Sequence, residues 1–219
     1  MDKLRLKFKK TERAVYISHL DLMHTMQRAF SRAGYELKYS EGFNPHPQIS
    51  IALPLSVGAS SYCEVMDFRL KIDEDLSQMP ARLSAVMPEG IEVLEVYEFT
   101  RKASEIKWLA IEGLFEYDNR DYAIAAEALK KFYEQESIVI TKKTKRGMGE
   151  SDIKPAIKSI EFAPSDRGVE LKAVISAQEP TLNPELLAEA LRQLDKDLAP
   201  DFAKFTRTEI FDANMNVFK

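Results

Sequence analysis

The feature that most constrains this chain is an order of strand-type and helix-type segments that occurs twice. In the first half, apolar and basic residues alternate in "LRLKFKK", as in a half-buried strand. Apolar residues then recur at helical spacing in "SHLDLMHTMQRAFSRAG", and strand patterns follow in "ISIALPLSVG" and "YCEVMDFRLKI". A second helix is predicted in "EDLSQMPARLSAVMPEG", broken or kinked at Pro80, before a last strand in "IEVLEVYEF". The order is β-α-β-β-α-β.

The second half repeats this order with different residues. Strands are predicted in "IKWLAIEGLFEY", in "GVELKAVIS" and "FTRTEIFD", and within "IVITKKTKRGMGESDIKPAIKSIEFAP", which carries a long basic loop. Helices are predicted in "RDYAIAAEALKKFYEQE" and "NPELLAEALRQLDKDL". The predicted fold class is therefore α+β, with two tandem ferredoxin-like (β-α-β-β-α-β) domains and antiparallel sheets, covering residues 1–102 and 103–219.

Composition limits the cellular compartment in which we expect the protein and the disulfide and metal sites that the chain can form. The 219 residues are 45% hydrophobic and 30% charged, which is ordinary for a globular protein. No apolar run approaches the ~18 residues of a membrane span, and no apolar segment follows the basic N-terminus as in a signal peptide. We expect a cytoplasmic protein with no membrane partner. The single cysteine, Cys63, excludes an internal disulfide and a cysteine-ligated zinc or iron–sulfur site within this chain alone.

Positive charge is concentrated in two islands. The net charge is −4, yet residues 1–50 carry +4 and residues 141–158 another +4, so the remainder carries −12. Such islands fit recognition of an anion such as a nucleic-acid backbone, although solvated surface charge can also cluster by chance. The second island has four basic residues before a flexible Gly147–Gly149 tip, and it could close over phosphates or form a mobile hairpin: Lys142, Lys143, Lys145 and Arg146.

The segment "GFNPHP" predicts a stiff loop that presents one histidine. Pro45 and Pro47 push the residues before them, Asn44 and His46, out of the helical region, and neither proline can donate to a sheet. We expect Gly42 to allow the turn and Phe43 to anchor the loop to the core. His46 would then face a ligand. The alternative is that His46 hydrogen-bonds inward and pins the loop to the first helix, for example at Asp21.

The first helix adds candidate binding residues. Ser18 is the predicted N-cap, with Asp21 three residues later as in a capping box. His24, Arg28 and Arg32 are four residues apart and line one edge away from the apolar stripe. A metal site is not expected, because His19 and His24 are five apart and would lie on different faces of the helix.

A basic sheet face is a further candidate. Strand alternation would place five cations on the face away from the helices, Arg5, Lys7, Lys9, Arg69 and Lys71. That face lacks the exposed aromatic residues of RNA-recognition sheets, so contact with phosphates is favoured over base stacking. The alternative, which we favour, is an inter-domain surface whose charges are paired.

Three stretches carry a family resemblance: "YISHLDLMHTMQRAFSRAGYELKYSEGFNPHPQISIALPLSVGASSYCE", "DIKPAI" and "TRTEIF". With these the chain resembles the radical-SAM-linked protein family, a bacterial family found alone or fused C-terminal to a radical SAM enzyme. The block with His19–Asp21, Arg28 and Gly42–Pro47 is the most specific part. The resemblance implies a radical SAM protein as partner, with the iron–sulfur cluster and S-adenosylmethionine held there. It also implies a link to RNA, ribosomal or transfer RNA included.

Three functional hypotheses remain open. The first, which we prefer, is an RNA-binding or substrate-presenting accessory module for a radical SAM partner, with no enzyme activity of its own. The second rests on a similarity in fold to the CRISPR repeat-RNA endonucleases and makes His46 the general base or acid of a metal-independent endoribonuclease, with Tyr39 or His24 nearby. The third is a protein–protein adaptor whose basic islands contact the partner.

Overall fold

The computed structural model describes residues 3–144 and 147–219. Within them the chain divides into two compact units, Met1–Ala103 together with Lys219, and Ser104–Phe218. The unit boundary lies one residue after the predicted domain boundary, while the assignment of the two parts as separate domains stays a prediction. Both units combine helices with sheets whose neighbouring strands run antiparallel, which confirms the α+β class.

The first unit contains four strands and two α-helices. Their order is β1 (Leu4–Lys10), α1 (His19–Arg32), β2 (Ile49–Ile51), β3 (Ser60–Phe68), α2 (Met79–Ser84) and β4 (Ile91–Glu98), with a 3₁₀ turn at Glu12–Tyr16. The sheet order is β4-β1-β3-β2. Alternate residues of β1 form the core face of this sheet, because Leu4, Leu6 and Phe8 are fully buried.

Helix α1 begins and ends where its sequence predicts. The Ser18 hydroxyl oxygen accepts a hydrogen bond from the Asp21 backbone N–H (3.2 Å), and the same hydroxyl donates to the Asp21 carboxylate (2.7 Å). The helix stops at Gly34, whose φ of +82° is favourable only for glycine. Its apolar stripe reaches the core through Phe30, which contacts Phe68 of β3 edge-on with 4.9 Å between ring centroids.

Two predictions about the first unit were wrong in detail. Pro80 does not kink a long helix, because α2 is short and holds Pro80 in its first turn, where a missing N–H costs no hydrogen bond. The third strand ends at Phe68, so Ile72 lies beyond the sheet and is 61% exposed.

The second unit has the same kinds of element plus one additional hairpin. Its strands and helices are β5 (Trp108–Glu116), α3 (Tyr122–Tyr133), β6 (Val139–Thr144), β7 (Gly147–Asp152), β8 (Ile157–Ser165), β9 (Gly168–Ser176), α4 (Glu185–Leu194) and β10 (Phe202–Phe211). Further 3₁₀ turns are Ala103–Glu105 and Lys154–Ala156. Within this unit the sheet order is β10-β5-β9-β8, and β6 pairs only with β7 among the described strands.

The hairpin corrects the expected long basic loop. Strands β6 and β7 pair from Val139–Asp152 to Thr144–Gly147, so this segment satisfies its backbone groups by pairing with itself. Its base is fixed by side chains. The Gln193 amide of α4 accepts from the Thr141 N–H (2.8 Å) and donates to the Thr141 carbonyl (2.9 Å).

We predict that Phe30→Ala lowers the free energy of unfolding by about 3–5 kcal/mol, because it removes a fully buried ring from between α1 and the sheet. The control is Leu20→Ala on the same helix, where the side chain is 70% exposed and the change should stay within about 0.5 kcal/mol. Urea denaturation measures both. Equal losses in the two variants would contradict the assigned core face of α1.

Candidate nucleic-acid interface

The loop between α1 and β2 is held by hydrogen bonds across its base. Tyr39 and Pro47 form an antiparallel bridge, and the Gln48 N–H donates to the Lys38 carbonyl (2.8 Å). Within this frame the Ser40 N–H donates to the His46 carbonyl (2.9 Å). Since Pro45 and Pro47 cannot donate, the donors come from residues around them. The result is a compact loop with its own internal support.

His46 is held by Ser40 and not by the first helix. Its Nδ1 lies 2.9 Å from the Ser40 hydroxyl oxygen, which also accepts from the His46 backbone N–H (3.1 Å). A longer contact of 3.5 Å joins Nδ1 to the Asn44 carbonyl. The proposed inward bond to Asp21 is wrong, because the Asp21 carboxylate is engaged at the N-cap of α1. The His46 ring is exposed.

Phe43 does not anchor the loop to the core. Its side chain is fully exposed, with a relative accessibility of 102%. The physical reason is that the loop is already fixed by the bonds of Ser40 and by the bridge at its base, so it does not need the Phe43 ring as an anchor. Gly42 does allow the turn, with a φ of +124°.

Beside the loop, a groove of about 370 Å³ opens at one end of the first sheet. Strand register explains which residues meet there. Leu4 pairs with Phe68 of β3 and with Glu98 of β4, so one position further out Lys3 lies between Arg69 and Phe99. The Phe99 N–H donates to the Lys3 carbonyl (3.1 Å). Since Leu4 and Phe68 face the buried core, their neighbours in sequence face the other side of the sheet.

One residue further into β1, Arg5 neutralises Asp67, the acidic residue that lines the groove. Arg5 pairs with Asp67 across the sheet, through Nε–Oδ1 at 2.6 Å and Nη2–Oδ2 at 3.0 Å. Nη2 also donates to the Arg101 carbonyl (3.1 Å), and the guanidinium lies 4.2 Å from the Phe99 ring centroid. Burial raises the pKa of the Tyr97 phenol, on the far side of Arg5, to about 12. The groove is therefore lined by the cations Lys3 and Arg69, by Phe99, whose ring Arg5 contacts, and by Asp67, whose carboxylate is already paired with Arg5.

These contacts correct the predicted basic sheet face. Arg5 has no exposed surface, and Lys9 and Lys71 form ion pairs with Glu92 and Glu36. Strand alternation predicted the correct face, but of the two exposed cations that follow β3, Lys71 is ion-paired and only Arg69 has no ion pair among the described residues. The favoured alternative of paired charges describes most of this surface. The part of this face that lines the groove is the row that includes Lys3, Arg69 and Phe99.

The predicted helix residues lie outside this groove. His24 and Arg28 are exposed on α1, and neither lines it. Arg32 is engaged elsewhere, since its Nη2 donates to the Val86 carbonyl (2.7 Å). His19 is half-buried at the first turn of the same helix. The structure thus brings His46 and Pro47 to the groove, whereas it leaves the helix cations on a separate surface of the first unit.

In the second unit, Lys142 lies half-buried and Lys143 exposed on β6, while Lys145 and Arg146 fall outside the described residues. The hairpin rejoins the fold at Asp152. Backbone N–H groups of Ile138 (2.9 Å) and Lys154 (3.0 Å) donate to its carboxylate and hold its pKa below the ordinary value. This hairpin therefore presents cations from a fixed base.

Several features bear on chemistry. Across residues 3–144 and 147–219, no three His, Cys, Asp or Glu side chains are grouped as metal ligands. Cys63 is buried and forms no disulfide within the described part of the chain. No helix in the described ranges is long and apolar enough to span a membrane. The His46 ring hydrogen-bonds to neither Tyr39 nor His24, the groups named as its nearby catalytic partners, so the endoribonuclease hypothesis stays a prediction.

Sequence reasoning missed Lys3, Gln48 and Phe99. All three lie just outside strand ends, where periodicity gives the weakest signal. The usable signal was register: if β1 lies between β3 and β4, the residue before β1 meets the residues that follow β3 and β4.

We predict that Ser40→Ala loosens the loop more than His46→Ala does. The serine change removes both the partner of Nδ1 and the acceptor of the His46 N–H, whereas the histidine change leaves the second bond intact. Hydrogen–deuterium exchange at the residue-46 amide should accelerate clearly in Ser40→Ala. His46→Ala should change overall stability by less than about 1.5 kcal/mol. Equal acceleration in both variants would mean that the imidazole itself holds the loop.

Comparison with solved structures gives distant likenesses. The chain is similar to the "Crystal Structure of a Cbf5-Nop10-Gar1 Complex" at 10% identity and a TM-score of 0.49, covering 94% of this chain and 48%, about half, of that one. It is similar to an unknown protein from Galdieria sulphuraria (8% identity, TM-score 0.27, 97% and 98% covered). A third likeness is to the CRISPR endoribonuclease Cse3 bound to 19 nt RNA (15%, 0.20, 94% and 99%).

No curated protein matches the chain. A family model does match, over residues 3–184, and its description is "Uncharacterized protein conserved in bacteria (DUF2344)". The match includes the whole first unit from Lys3 onward, with the "GFNPHP" loop and the groove, and it continues through the hairpin of the second unit. The chain therefore belongs to this conserved bacterial family.

Proposed function

We propose that the protein binds RNA through the groove beside the "GFNPHP" loop. The observation that supports this most is the row of Lys3, Arg69 and Phe99 at the end of the first sheet, above a carboxylate already neutralised by Arg5. Lysine and arginine contact phosphate oxygens, and an aromatic face stacks on a base. The groove volume of about 370 Å³ is within the range of small-ligand sites.

Polar groups at the rim suit the same ligand. Gln48 and His46 line the groove from the loop side, and each can donate a hydrogen bond to a phosphate, a ribose hydroxyl or a base edge. The Gln48 amide already donates to the Tyr39 carbonyl (3.1 Å), which fixes its position. His46 is fixed by Ser40. Because these groups are ordered before a ligand arrives, little entropy is lost on binding.

We propose the β6–β7 hairpin as a second contact with the nucleic-acid backbone. Lys142 and Lys143 support this, since they lie on a strand anchored to α4 and carry charge without a nearby acidic partner among the described residues. The exposed His24 and Arg28 of α1 are proposed as a further phosphate-contacting surface. Such contacts add affinity that falls with salt and carry no sequence information.

We also propose that this module serves a radical SAM protein and has no catalytic activity of its own. Support comes from the family resemblance of the block around His19–Asp21 and Gly42–Pro47. A radical SAM cluster needs three cysteines, and the chain's one cysteine, Cys63, is buried, so these residues do not fit a cluster. Affinity purification from bacterial cells tests the partnership: recovery of a radical SAM protein supports it, and repeated recovery of none contradicts it.

For the fold, we propose that each unit is ferredoxin-like. The first unit's sheet order, β4-β1-β3-β2, supports this, and so does the second unit's, where β10-β5-β9-β8 repeats the same arrangement if the β6–β7 hairpin is treated as an insertion. An experimental structure with another strand order in either unit would contradict the assignment.

The groove is tested with a double variant. Lys3→Ala with Arg69→Ala should weaken binding of fluorescein-labelled RNA at least tenfold at 100 mM salt and make the slope of log affinity against log salt less steep by about 1 to 2. Thermal stability should hold, because both side chains are exposed. Fluorescence anisotropy over a salt series measures both quantities, and a gel of the same samples shows whether the RNA stays intact.

Two comparison variants make this test specific. Lys131→Ala with Lys196→Ala removes the same charge from exposed positions of the second unit and should leave affinity within about twofold. Replacing Lys142, Lys143, Lys145 and Arg146 with alanine tests the hairpin, for which we expect weaker binding and a flatter salt slope. If the groove variant and the Lys131/Lys196 variant have equal effects, RNA binding depends only on the overall positive charge, and the groove assignment is overturned.

A further inference from the structure

We infer that the ligand is single-stranded RNA with an unpaired base stacked on the Phe43 ring, an inference that rests on the proposed groove function. Phe43 is the most exposed large apolar side chain among the described residues. It lies at the tip of a loop whose other end, His46 and Pro47, lines the groove. The same loop therefore offers a free aromatic face and reaches the basic row of the sheet.

The exposed ring has no structural task that explains it. The loop is fixed by the Tyr39–Pro47 bridge and by Ser40, and none of these contacts involves the Phe43 ring. Because the Phe43 ring is exposed, it contributes no burial free energy to folding, and a polar residue at this position would leave the fold equally stable. A ring that stands in water on a rigid loop is instead available to stack on a flat partner.

The neighbouring residue favours a nucleobase as that partner. Asn44 follows Phe43 and is exposed, and its side-chain amide can donate and accept at the edge of a base while the ring covers the face. Stacking plus an edge contact is how proteins recognise bases that are splayed out of a helix. Two residues separate Phe43 from His46, so their Cα atoms lie at most about 11 Å apart. The base and its flanking phosphate can therefore be held by one loop and its groove.

A paired base cannot use this arrangement. Within a duplex both faces of each base are covered by its neighbours in the stack, and the ring of Phe43 would meet only the backbone. Single strands leave faces free, and base–aromatic stacking tolerates any sequence because every base has a π-face. The structure thus favours an unpaired segment such as a loop, a bulge or an end, over a continuous helix.

The experiment measures binding of one 12-nucleotide RNA, free and annealed to its complement, to the full chain by fluorescence anisotropy. We expect the single strand to bind at least tenfold more tightly than the duplex. Phe43→Ala should lower single-strand affinity about 5- to 100-fold. Because the change removes no charge, the salt slope should stay as in the wild type, unlike that of the Lys3/Arg69 variant.

Three further variants isolate the ring. Phe43→Trp should keep the affinity because it keeps a stacking face, and Phe43→Leu should lose affinity as Phe43→Ala does. Ile72→Ala, at an exposed apolar position of the same unit, should have no effect. Thermal melts should be unchanged in all four variants, because both positions are exposed.

The outcomes separate this inference from the proposed function. Salt-dependent RNA binding that Phe43→Ala or Phe43→Leu leaves at the wild-type level would overturn the stacking inference and leave the groove function standing. Equal affinity for single strand and duplex would do the same. Absence of binding of either RNA by the wild-type chain would overturn both.

Discussion

The ion pair between the buried Arg5 and the partly exposed Asp67 is the interaction on which the rest of the candidate site depends. The guanidinium of Arg5 has no exposed surface, and its Nε and Nη2 donate to the Asp67 carboxylate and the Arg101 carbonyl, while the Phe99 ring lies against it. Removing Asp67 would leave the buried charge of Arg5 without its carboxylate, which destabilises a fold strongly. The pair also sets the charge of the groove. With Asp67 paired to Arg5, the two exposed cations of the next row, Lys3 and Arg69, have no ion-pair partner among the described residues.

A second constraint is the self-supporting loop. Ser40 bonds to the backbone and to the ring of His46, so the loop needs no apolar anchor and its tip is free to carry Phe43 into solvent. Exposed loops are usually mobile, because packing against the core contributes little to holding them in place. Here local hydrogen bonds and two prolines provide the rigidity. The binding groups of the loop and of the sheet end are therefore already ordered before a ligand arrives.

Several features could be predicted from the sequence because they follow from local periodicity. Alternation in "LRLKFKK" predicted which face of β1 is buried, and the Ser18 cap and Gly34 defined α1.

Alternation could not tell an exposed arginine from a buried one, because burial of Arg5 depends on Asp67, which lies 62 residues away in the chain. Phe43 was wrongly placed in the core since aromatic residues are usually buried, whereas its exposure depends on the bonds of Ser40. The β6–β7 segment was predicted as a long basic loop, with a hairpin as the alternative, because polar and glycine residues masked the strand pairing. Lys3 and Phe99 were missed because their proximity depends on register alone.

The central claim is that RNA occupies the groove between the loop and the row of Lys3, Arg69 and Phe99. It is tested most directly by photocrosslinking the full chain to single-stranded RNA that contains 4-thiouridine, followed by mass spectrometry of the crosslinked peptides. We predict crosslinks within residues 39–50 and at or beside Phe99, with the hairpin as a lesser site, and competition by unlabelled RNA. Crosslinks confined to other surfaces, with residues 39–50 and Phe99 unmodified, would contradict the account.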